Sequence, residues 1–256
     1  MGFKVVIPAR YGSTRLPAKA LLEIGGRPML QWVIEAASRS GADEVIVATD
    51  DERVLAAALD TQGRNIAVMT GTRHQSGTDR IAEIAAQRKW ADSTIVVNVQ
   101  GDEPQLPHVL IDQVATLLEQ HPDAGIATLC TPVTSLHEFL DPNVVKVVTA
   151  RGSQALYFSR APIPWHRDGA AQGLTSQTSI LGAQRHLGIY AYRVAALREV
   201  TSIEPSDLEL TEKLEQLRAL QAGMRIVVGV ATQVPGVGVD TQQDLERVRA
   251  QLSDVR

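Results

Sequence analysis

The sequence predicts an α/β fold with a doubly wound, mostly parallel sheet and an extended β-rich insertion in its second half. Three observations support this prediction. Runs rich in Val and Ile alternate with segments of helical periodicity through the first half, a pattern typical of parallel strands joined by helices. The second half contains strand-like runs without helices between them. The 256 residues are 44% hydrophobic, so the chain can bury a substantial core.

Strand-like and helix-like segments follow each other regularly in the first half. The run 4–7 predicts a buried strand that Pro8 interrupts. Pro28 suits the first turn of a helix that ends near Gly41. The further predicted strands are 44–48, 66–69, 94–99 and 125–129, and the further predicted helices are 51–59, 78–89 and 106–118. Right-handed crossovers between such strands would build the doubly wound sheet.

The second half has a different texture. Its predicted strands are 144–148, 155–158, 187–190 and 226–230, and the polar segment 169–182 predicts a loop. A capping box formed by Ser206 and Glu209 predicts a helix over 206–222. Thr241 is expected to cap the last helix. No internal repeat or linker divides the sequence, so we expect a single domain over 1–256.

Composition excludes several classes of function. The net charge of −4 argues against a general nucleic-acid binder, which would need an excess of Lys and Arg. No apolar run reaches the length of a membrane span. A single cysteine cannot form a disulfide framework, and the first residues do not have the pattern of a secretory signal. We therefore expect a cytoplasmic protein with no membrane contact.

A cationic loop follows the first predicted strand. Arg10, Arg15 and Lys19 lie close together around Gly12, at the carboxyl end of the strand, where open α/β sheets bind ligands. Guanidinium, ammonium and backbone N–H groups suit a polyanion such as a triphosphate. The loop matches neither the P-loop nor the dinucleotide-binding glycine pattern. A solvated basic loop without a ligand remains the alternative.

Two aspartates are candidates for a metal site. Asp102 follows the predicted strand 94–99, and Asp240 follows an apolar run and two glycines near the end of the chain. Carboxylates at the ligand-binding edge of a sheet suit Mg²⁺, which prefers oxygen ligands. Each aspartate taken alone would also suit a turn or a helix cap. Together, and facing the cationic loop, they predict a metal–phosphate site.

Seven segments in order give the sequence a family resemblance. They are 7–19, 74–80, 97–104, 157–160, 185–190, 214–218 and 238–241. Together they resemble the sugar-activating cytidylyltransferases, and among these the 3-deoxy-manno-octulosonate (KDO) cytidylyltransferase family. The resemblance extends over nearly the whole chain. The CMP-sialate synthetases share the opening segment but not the later set.

The resemblance implies a reaction, a fold and an assembly. The reaction is that of CTP with KDO to give CMP-KDO and diphosphate, for lipopolysaccharide biosynthesis and with Mg²⁺ as cofactor. The implied fold is the nucleotide-diphospho-sugar transferase type, in which 1–130 form the nucleotide-binding half and 131–256 the sugar-binding and dimerisation half. A homodimer is the implied assembly.

The resemblance also implies roles for individual residues. The catalytic residues would be Arg10, Lys19, Asp102 and Asp240, with the two aspartates as magnesium ligands. The nucleotide would be bound by Pro8, Ala9, Arg10, Arg15, Lys19, Gln75, Ser76, Gly77 and Thr78. The sugar acid would be bound by Gln100, Arg160, His186, Tyr190, Glu215 and Gln216.

Alternatives remain open for single residues and for the whole chain. Ser76 and Thr78 also suit simple helix capping, His186 suits a hydrogen-bonded sheet histidine, and Glu215 with Arg218 suits a helix-surface pair. For the whole chain the alternatives are a CMP-sialate synthetase and a noncatalytic nucleotide-binding regulator. The second is disfavoured because nucleotide binding alone needs no second carboxylate.

Overall fold

Strands and helices alternate through much of the chain. We describe residues 2–12, 16–170 and 172–253 of a computed structural model. The strands are β1 (Lys4–Pro8), β2 (Glu23–Ile24), β3 (Arg27–Pro28), β4 (Glu44–Thr49), β5 (Ala67–Met69), β6 (Ile95–Asn98), β7 (Ile126–Pro132), β8 (Lys146–Thr149), β9 (Ala155–Ser159), β10 (Gln184–Arg193) and β11 (Ile226–Val230). The helices are α1 (Met29–Ser38), α2 (Glu52–Ala57), α3 (Gly77–Gln87), α4 (His108–Glu119), α5 (Leu136–Leu140), α6 (Val194–Ser202), α7 (Asp207–Glu212), α8 (Gln216–Gln221) and α9 (Gln242–Ser253), with short 3₁₀ turns at Lys19–Leu21 and Leu174–Ser176.

The main sheet joins the two halves of the chain. Its strand order is β11-β7-β10-β6-β1-β4-β5. The four strands from β6 to β5 are parallel, and β7 is parallel to β11. Between these two parallel groups lies β10, antiparallel to both β6 and β7. The predicted mostly parallel sheet is therefore confirmed, and one strand of the β-rich second half lies at its centre.

The sheet is covered on both faces, as the apolar character of β1 requires. Successive side chains of a strand point to opposite faces, and Val5 and Ile7 accordingly pack in one apolar cluster with α1 and α4. Val6 packs in the other cluster with α3, α6 and α8. A smaller cluster places α9 against the segment that precedes α1. The β8–β9 hairpin extends the sheet from β10.

The predicted continuous helix over 206–222 is wrong. The chain forms two short helices, α7 and α8, because Lys213 adopts a left-handed conformation with φ of +54° and ends α7. Ser206 does cap α7, accepting a hydrogen bond from the Glu209 backbone N–H. The Glu209 carboxylate does not close the predicted box, since it binds the guanidinium of Arg218 instead.

Candidate active site

Two adjoining cavities lie at the carboxyl ends of β1 and β6. The first has a volume of about 300 Å³, and the second has a volume of about 170 Å³. The first is lined by Pro8, Ala9, Arg10, Lys19, Ala20, His74, Gln75, Ser76, Gly77, Arg80, Gln100, Gly101, Asp102 and Asp240. The second is lined by Gly77, Thr78, Asn98, Gln100, Tyr190, Tyr192, Glu215 and Gln216. Gly77 and Gln100 line both cavities.

Three charged groups from distant parts of the chain meet in the first cavity. The Lys19 ammonium donates to Asp102 Oδ2 at 2.5 Å and to Asp240 Oδ1 at 3.0 Å. The structure thus places both aspartates beside the cationic loop. Burial alone would lower the pKa of Lys19, but the attraction of the two carboxylates outweighs it and raises the pKa above its ordinary value. Lys19 therefore stays protonated at neutral pH.

Backbone contacts fix the two aspartates relative to each other. The N–H of Val239, the neighbour of Asp240, donates to the carbonyl oxygen of Asp102 at 2.9 Å. The Val239 side chain is fully buried in the apolar cluster that includes Leu245 of α9. Asp244 accepts from the Asp240 N–H and from Thr241, whose hydroxyl caps α9 as predicted. The last helix therefore holds Asp240 at the cavity.

Close packing shapes the loops around the first cavity. A Cβ added to Gly77 would lie 3.0 Å from Pro8 Cγ, and one added to Gly101 would lie 3.1 Å from the Pro8 carbonyl oxygen. Both positions therefore suit glycine, because a side chain would push these loops away from the end of β1. Ser76 caps α3 and forms a complete capping box with Asp79. The start of α3, at Ser76 and Gly77, lines the first cavity.

Arg80 is a cavity residue that the sequence analysis missed. Its side chain is buried, and it donates to the Asp50 carboxylate at 2.8 Å, to Thr70 and to the Gly71 carbonyl oxygen. The position of Asp50 directly after a strand could have indicated this pair, since it ends at the same edge of the sheet as Asp102. A buried guanidinium therefore adds positive charge to the wall of the first cavity.

Glu103 is a further acidic group near the two aspartates. Burial raises the pKa of its carboxyl group to about 7, and the negative charges of Asp102 and Asp240 add to that shift. The positive charge of Arg185 lowers this pKa, but by less than burial raises it. The sequence shows this residue next to Asp102, but its burial depends on the folded surroundings and has no signal in the pattern.

Glu215 connects the two cavities. Its carboxylate accepts from the Ser76 hydroxyl at 3.2 Å and from the Thr78 hydroxyl at 2.9 Å. Burial raises the pKa of Glu215, and the hydroxyl hydrogen bonds partly oppose the shift. The helix-surface pair with Arg218 is not formed as a hydrogen bond, because Arg218 binds Glu209. Ser76 therefore caps α3 and also bonds Glu215.

Tyr190 and Tyr192 form the aromatic wall of the second cavity. Their rings stack with centroids 5.7 Å apart, and both side chains are largely buried. Burial raises the pKa of both phenols, so each stays protonated as a hydrogen-bond donor. Tyr192 and Asn98 were not among the predicted residues. Their spacing in β10 and β6 gives no signal beyond that of ordinary strand residues.

Of the predicted site residues that the structure describes, His186 and Arg160 line neither cavity. Arg15 lies outside the described residues. His186 bonds Thr128 Oγ1 at 3.0 Å and packs against the Phe158 and Tyr190 rings, while burial lowers the pKa of its imidazole to about 3. The Arg160 guanidinium donates to backbone carbonyl oxygens of Pro142 and Glu212 instead of lining a cavity.

Comparisons with known proteins define the class of this protein. A family model described as cytidylyltransferase matches residues 4–226. The chain therefore belongs to the cytidylyltransferase family, whose members are nucleotidyltransferase enzymes. The resemblance seen in the sequence is confirmed at this level.

Individual relatives narrow the class. The chain is 54% identical over 252 residues to 3-deoxy-manno-octulosonate cytidylyltransferase from Thioalkalivibrio sulfidiphilus, covering 98% of this chain and 99% of that protein. It is 51% identical over 253 residues to the enzyme of the same name from Nitrosococcus oceani, covering 98% and 97%. A solved structure of CMP:2-keto-3-deoxy-manno-octonic acid synthetase complexed with CTP matches with a TM-score of 0.88 and 40% identity over 100% of both chains. These relatives confirm the nucleotidyltransferase fold and do not support the two alternative functions.

Among the described residues, no helix is long and apolar enough to cross a membrane.

Proposed function

We propose that this protein transfers the cytidylyl group of CTP to KDO and releases diphosphate. The observation that carries the proposal is the identity of 54% over nearly the full chain to a curated enzyme with that name. Supply of activated KDO for lipopolysaccharide biosynthesis is the process that we assign to the product. We also propose a cytoplasmic location, with which the buried free thiol of Cys130 agrees.

The charges of the first cavity suit the phosphate chemistry. The anomeric hydroxyl oxygen of KDO forms a bond to the α-phosphorus, the bond from the α-phosphorus to the bridging oxygen of diphosphate breaks, and the hydroxyl proton is lost to solvent. Such transfers need charge neutralisation and in-line positioning more than a protein nucleophile. Arg10 and Lys19 line the cavity and would neutralise the β- and γ-phosphates that leave as diphosphate. Arg80 would add positive charge from the cavity wall.

Asp102 and Asp240 fit a magnesium ion. Both present an oxygen within 3.0 Å of one atom, Lys19 Nζ, so they already hold a cationic group between them. The described residues contain no group of three or more His, Cys, Asp or Glu side chains suited to a metal. Phosphate oxygens and water would then complete the ligands, as is usual for Mg²⁺. Bound there, Mg²⁺ would lower the pKa of the attacking hydroxyl and offset charge on the α-phosphate.

The second cavity suits the hydroxyl-rich sugar acid. Gln100, Tyr190, Glu215 and Gln216 supply amide, phenol and carboxylate groups at its wall, and such groups discriminate between polyols by hydrogen bonding. We propose these four residues as sugar ligands. The His186 ring packs against the Tyr190 ring. We therefore propose that His186 contacts the sugar only when the Tyr190 ring is displaced.

Parallel assays of diphosphate release test the substrate. We expect CTP-dependent release with KDO and Mg²⁺, little release with N-acetylneuraminate, and none without a sugar acid. Heat-treated protein serves as the background control. Release with N-acetylneuraminate alone would contradict the proposal in favour of a sialate synthetase. Binding of CTP without release with either acid would favour a noncatalytic regulator.

We further propose a homodimer formed through the second half of the chain. Among the described strands, β9 pairs only with β8, which leaves an open edge that soluble proteins usually cover. Large apolar side chains are exposed on and after this strand: Leu156 is 59% exposed, Trp165 44% and Leu181 81%. Covering exposed apolar side chains favours association. Light scattering at micromolar concentration should give twice the chain mass of 27.7 kDa, and a monomeric mass would contradict the proposal.

A further inference from the structure

The turn between α7 and α8 determines where two proposed sugar ligands lie. Lys213 ends α7 in the left-handed region, with φ of +54°, and Glu215 and Gln216 follow at the second cavity. A residue other than glycine adopts this backbone conformation only when its surroundings hold it there. The contacts that hold this turn therefore also determine the position of the Glu215 carboxylate.

A reciprocal set of hydrogen bonds holds the turn from behind the cavity. The Glu212 carboxylate accepts from the Ser159 hydroxyl at 2.6 Å and from the Arg160 backbone N–H at 2.9 Å. In return, Arg160 Nε donates to the Glu212 carbonyl oxygen at 2.6 Å. That carbonyl is at the end of α7, where helices leave acceptors without a partner and favour a cation. We call this set the Arg160–Glu212 clasp.

The clasp is itself fixed to β8 and to the segment that precedes it. Arg160 Nη1 donates to the Pro142 carbonyl oxygen at 2.9 Å. The fully buried ammonium of Lys146 donates to the Arg160 carbonyl oxygen at 2.8 Å. By contrast, α7 has no buried residue of its own. Polar contacts rather than apolar packing therefore keep α7 in place, and the following turn is held both by these contacts and by Leu214, which is buried in the apolar cluster with α8.

We propose that Arg160 is a positioning residue that acts on sugar binding through Glu212 and the Lys213 turn. This inference rests on the proposed function of the second cavity. The guanidinium fixes the last carbonyl of α7, the turn at Lys213 follows, and Glu215 then reaches Ser76 and Thr78. Arg160 thus favours the sugar-binding arrangement without contacting the sugar, in place of the direct role predicted from the sequence.

Kinetics of clasp variants test this inference. Arg160→Met removes the guanidinium donors with little change in volume, and Glu212→Met removes both acceptor oxygens of the carboxylate. We expect each variant to raise the KM for KDO about tenfold, with the KM for CTP changed by less than about twofold. Because both act through one turn, the double variant should be no more than about twofold worse than the worse single variant.

Two further variants test the Lys213 turn separately from the hydrogen bonds of the clasp. Lys213→Gly introduces a residue that tolerates positive φ, so the KM for KDO should stay unchanged. Lys213→Val introduces a β-branched residue that disfavours positive φ, so the KM for KDO should rise about as much as in Arg160→Met. Arg198→Met serves as the matched control, because it removes an arginine that pairs with Asp92 and is not part of the clasp. Thermal unfolding of each variant checks that it folds.

The outcomes separate the possible roles. A high KM for KDO in Arg160→Met with normal values in Glu212→Met and Lys213→Val would overturn the inference in favour of direct contact with the sugar. Equal losses for KDO and CTP would overturn it in favour of a general structural role. If the wild type does not use KDO, the proposed function fails. Amide hydrogen exchange over 213–216 then still tests the clasp, since it should be faster in both clasp variants than in Arg198→Met.

Discussion

The two cavities differ in the kind of group that lines them. Five charged side chains face the first cavity: Arg10, Lys19, Arg80, Asp102 and Asp240. The second cavity has one charged residue, Glu215, among amide, hydroxyl and phenol groups. The first arrangement suits a triphosphate with its metal ion, and the second suits the hydroxyl groups of the sugar acid. Charge chemistry and sugar recognition are therefore separated in space, and substitutions should affect one substrate more than the other.

The largest expected effect is loss of either aspartate of the first cavity. Asp102→Asn or Asp240→Asn removes a charge that we assign to Mg²⁺, so turnover should fall about 100-fold or more while the protein remains folded. Diphosphate release at saturating CTP, KDO and Mg²⁺ measures it, and circular dichroism checks the fold. Asp92→Asn, at an exposed pair with Arg198, is the control. A nearly normal rate in either variant would remove that residue from the mechanism.

Arg10→Ala should separate the two substrates. Arg10 lines only the first cavity, and loss of one charge-assisted contact to a phosphate costs about 1.5 to 3 kcal/mol. We expect CTP to bind about tenfold more weakly or worse, with KDO binding nearly unchanged. Calorimetric titration of each ligand measures this, with Arg64→Ala as the matched control. Equal weakening of both ligands would contradict the separation of the cavities.

Glu215→Gln tests the boundary between the cavities. Glu215 contacts Ser76 and Thr78 of the predicted nucleotide loop but lines only the second cavity. Loss of its charge should raise the KM for KDO about fivefold to tenfold and the KM for CTP less than threefold. Steady-state kinetics with each substrate varied give both values, and Glu35→Gln, at a partly exposed pair with Arg27, is the control. A larger change for CTP would show that this residue belongs to the nucleotide site.

The difference between the two cavities also explains how much of each could be predicted from the sequence. The residues of the first cavity follow parallel strands, whose carboxyl ends meet at one edge of the sheet, so Asp102 and the cationic loop could be placed from the pattern alone. The meeting of Asp240 with them depends on α9 packing and on the Val239 backbone contact. Those contacts join residues more than 130 positions apart, and no local pattern encodes them.

The second cavity was accessible only through the family resemblance. Its residues come from the centre of β10 and from α8, where tyrosine, glutamate and glutamine are ordinary strand and helix residues. The break at Lys213 was missed because nothing in its type favours a left-handed conformation; the clasp and the surrounding contacts hold it there. Asn98 and Tyr192 were missed for the same reason, since only the antiparallel pairing of β10 with β6 brings them together.

The smallest expected effect concerns stability rather than binding, and it arises at His186 behind the second cavity. Burial lowers the pKa of this imidazole from 6.5 to about 3. Below pH 6.5 the unfolded chain binds a proton that the folded protein does not, so stability decreases as the pH falls towards 3.

When the pH falls from about 7 to 5.5, the unfolding free energy of the wild type should decrease by about 1 kcal/mol more than that of His186→Gln. Urea unfolding of both proteins at the two pH values measures the difference, and other titrating groups cancel in the comparison. Equal pH dependence would mean that His186 is not held neutral by burial. Its contact with Thr128 would then be a hydrogen bond from a charged imidazolium, and a charged group behind Tyr190 would remove the contrast between the two cavities.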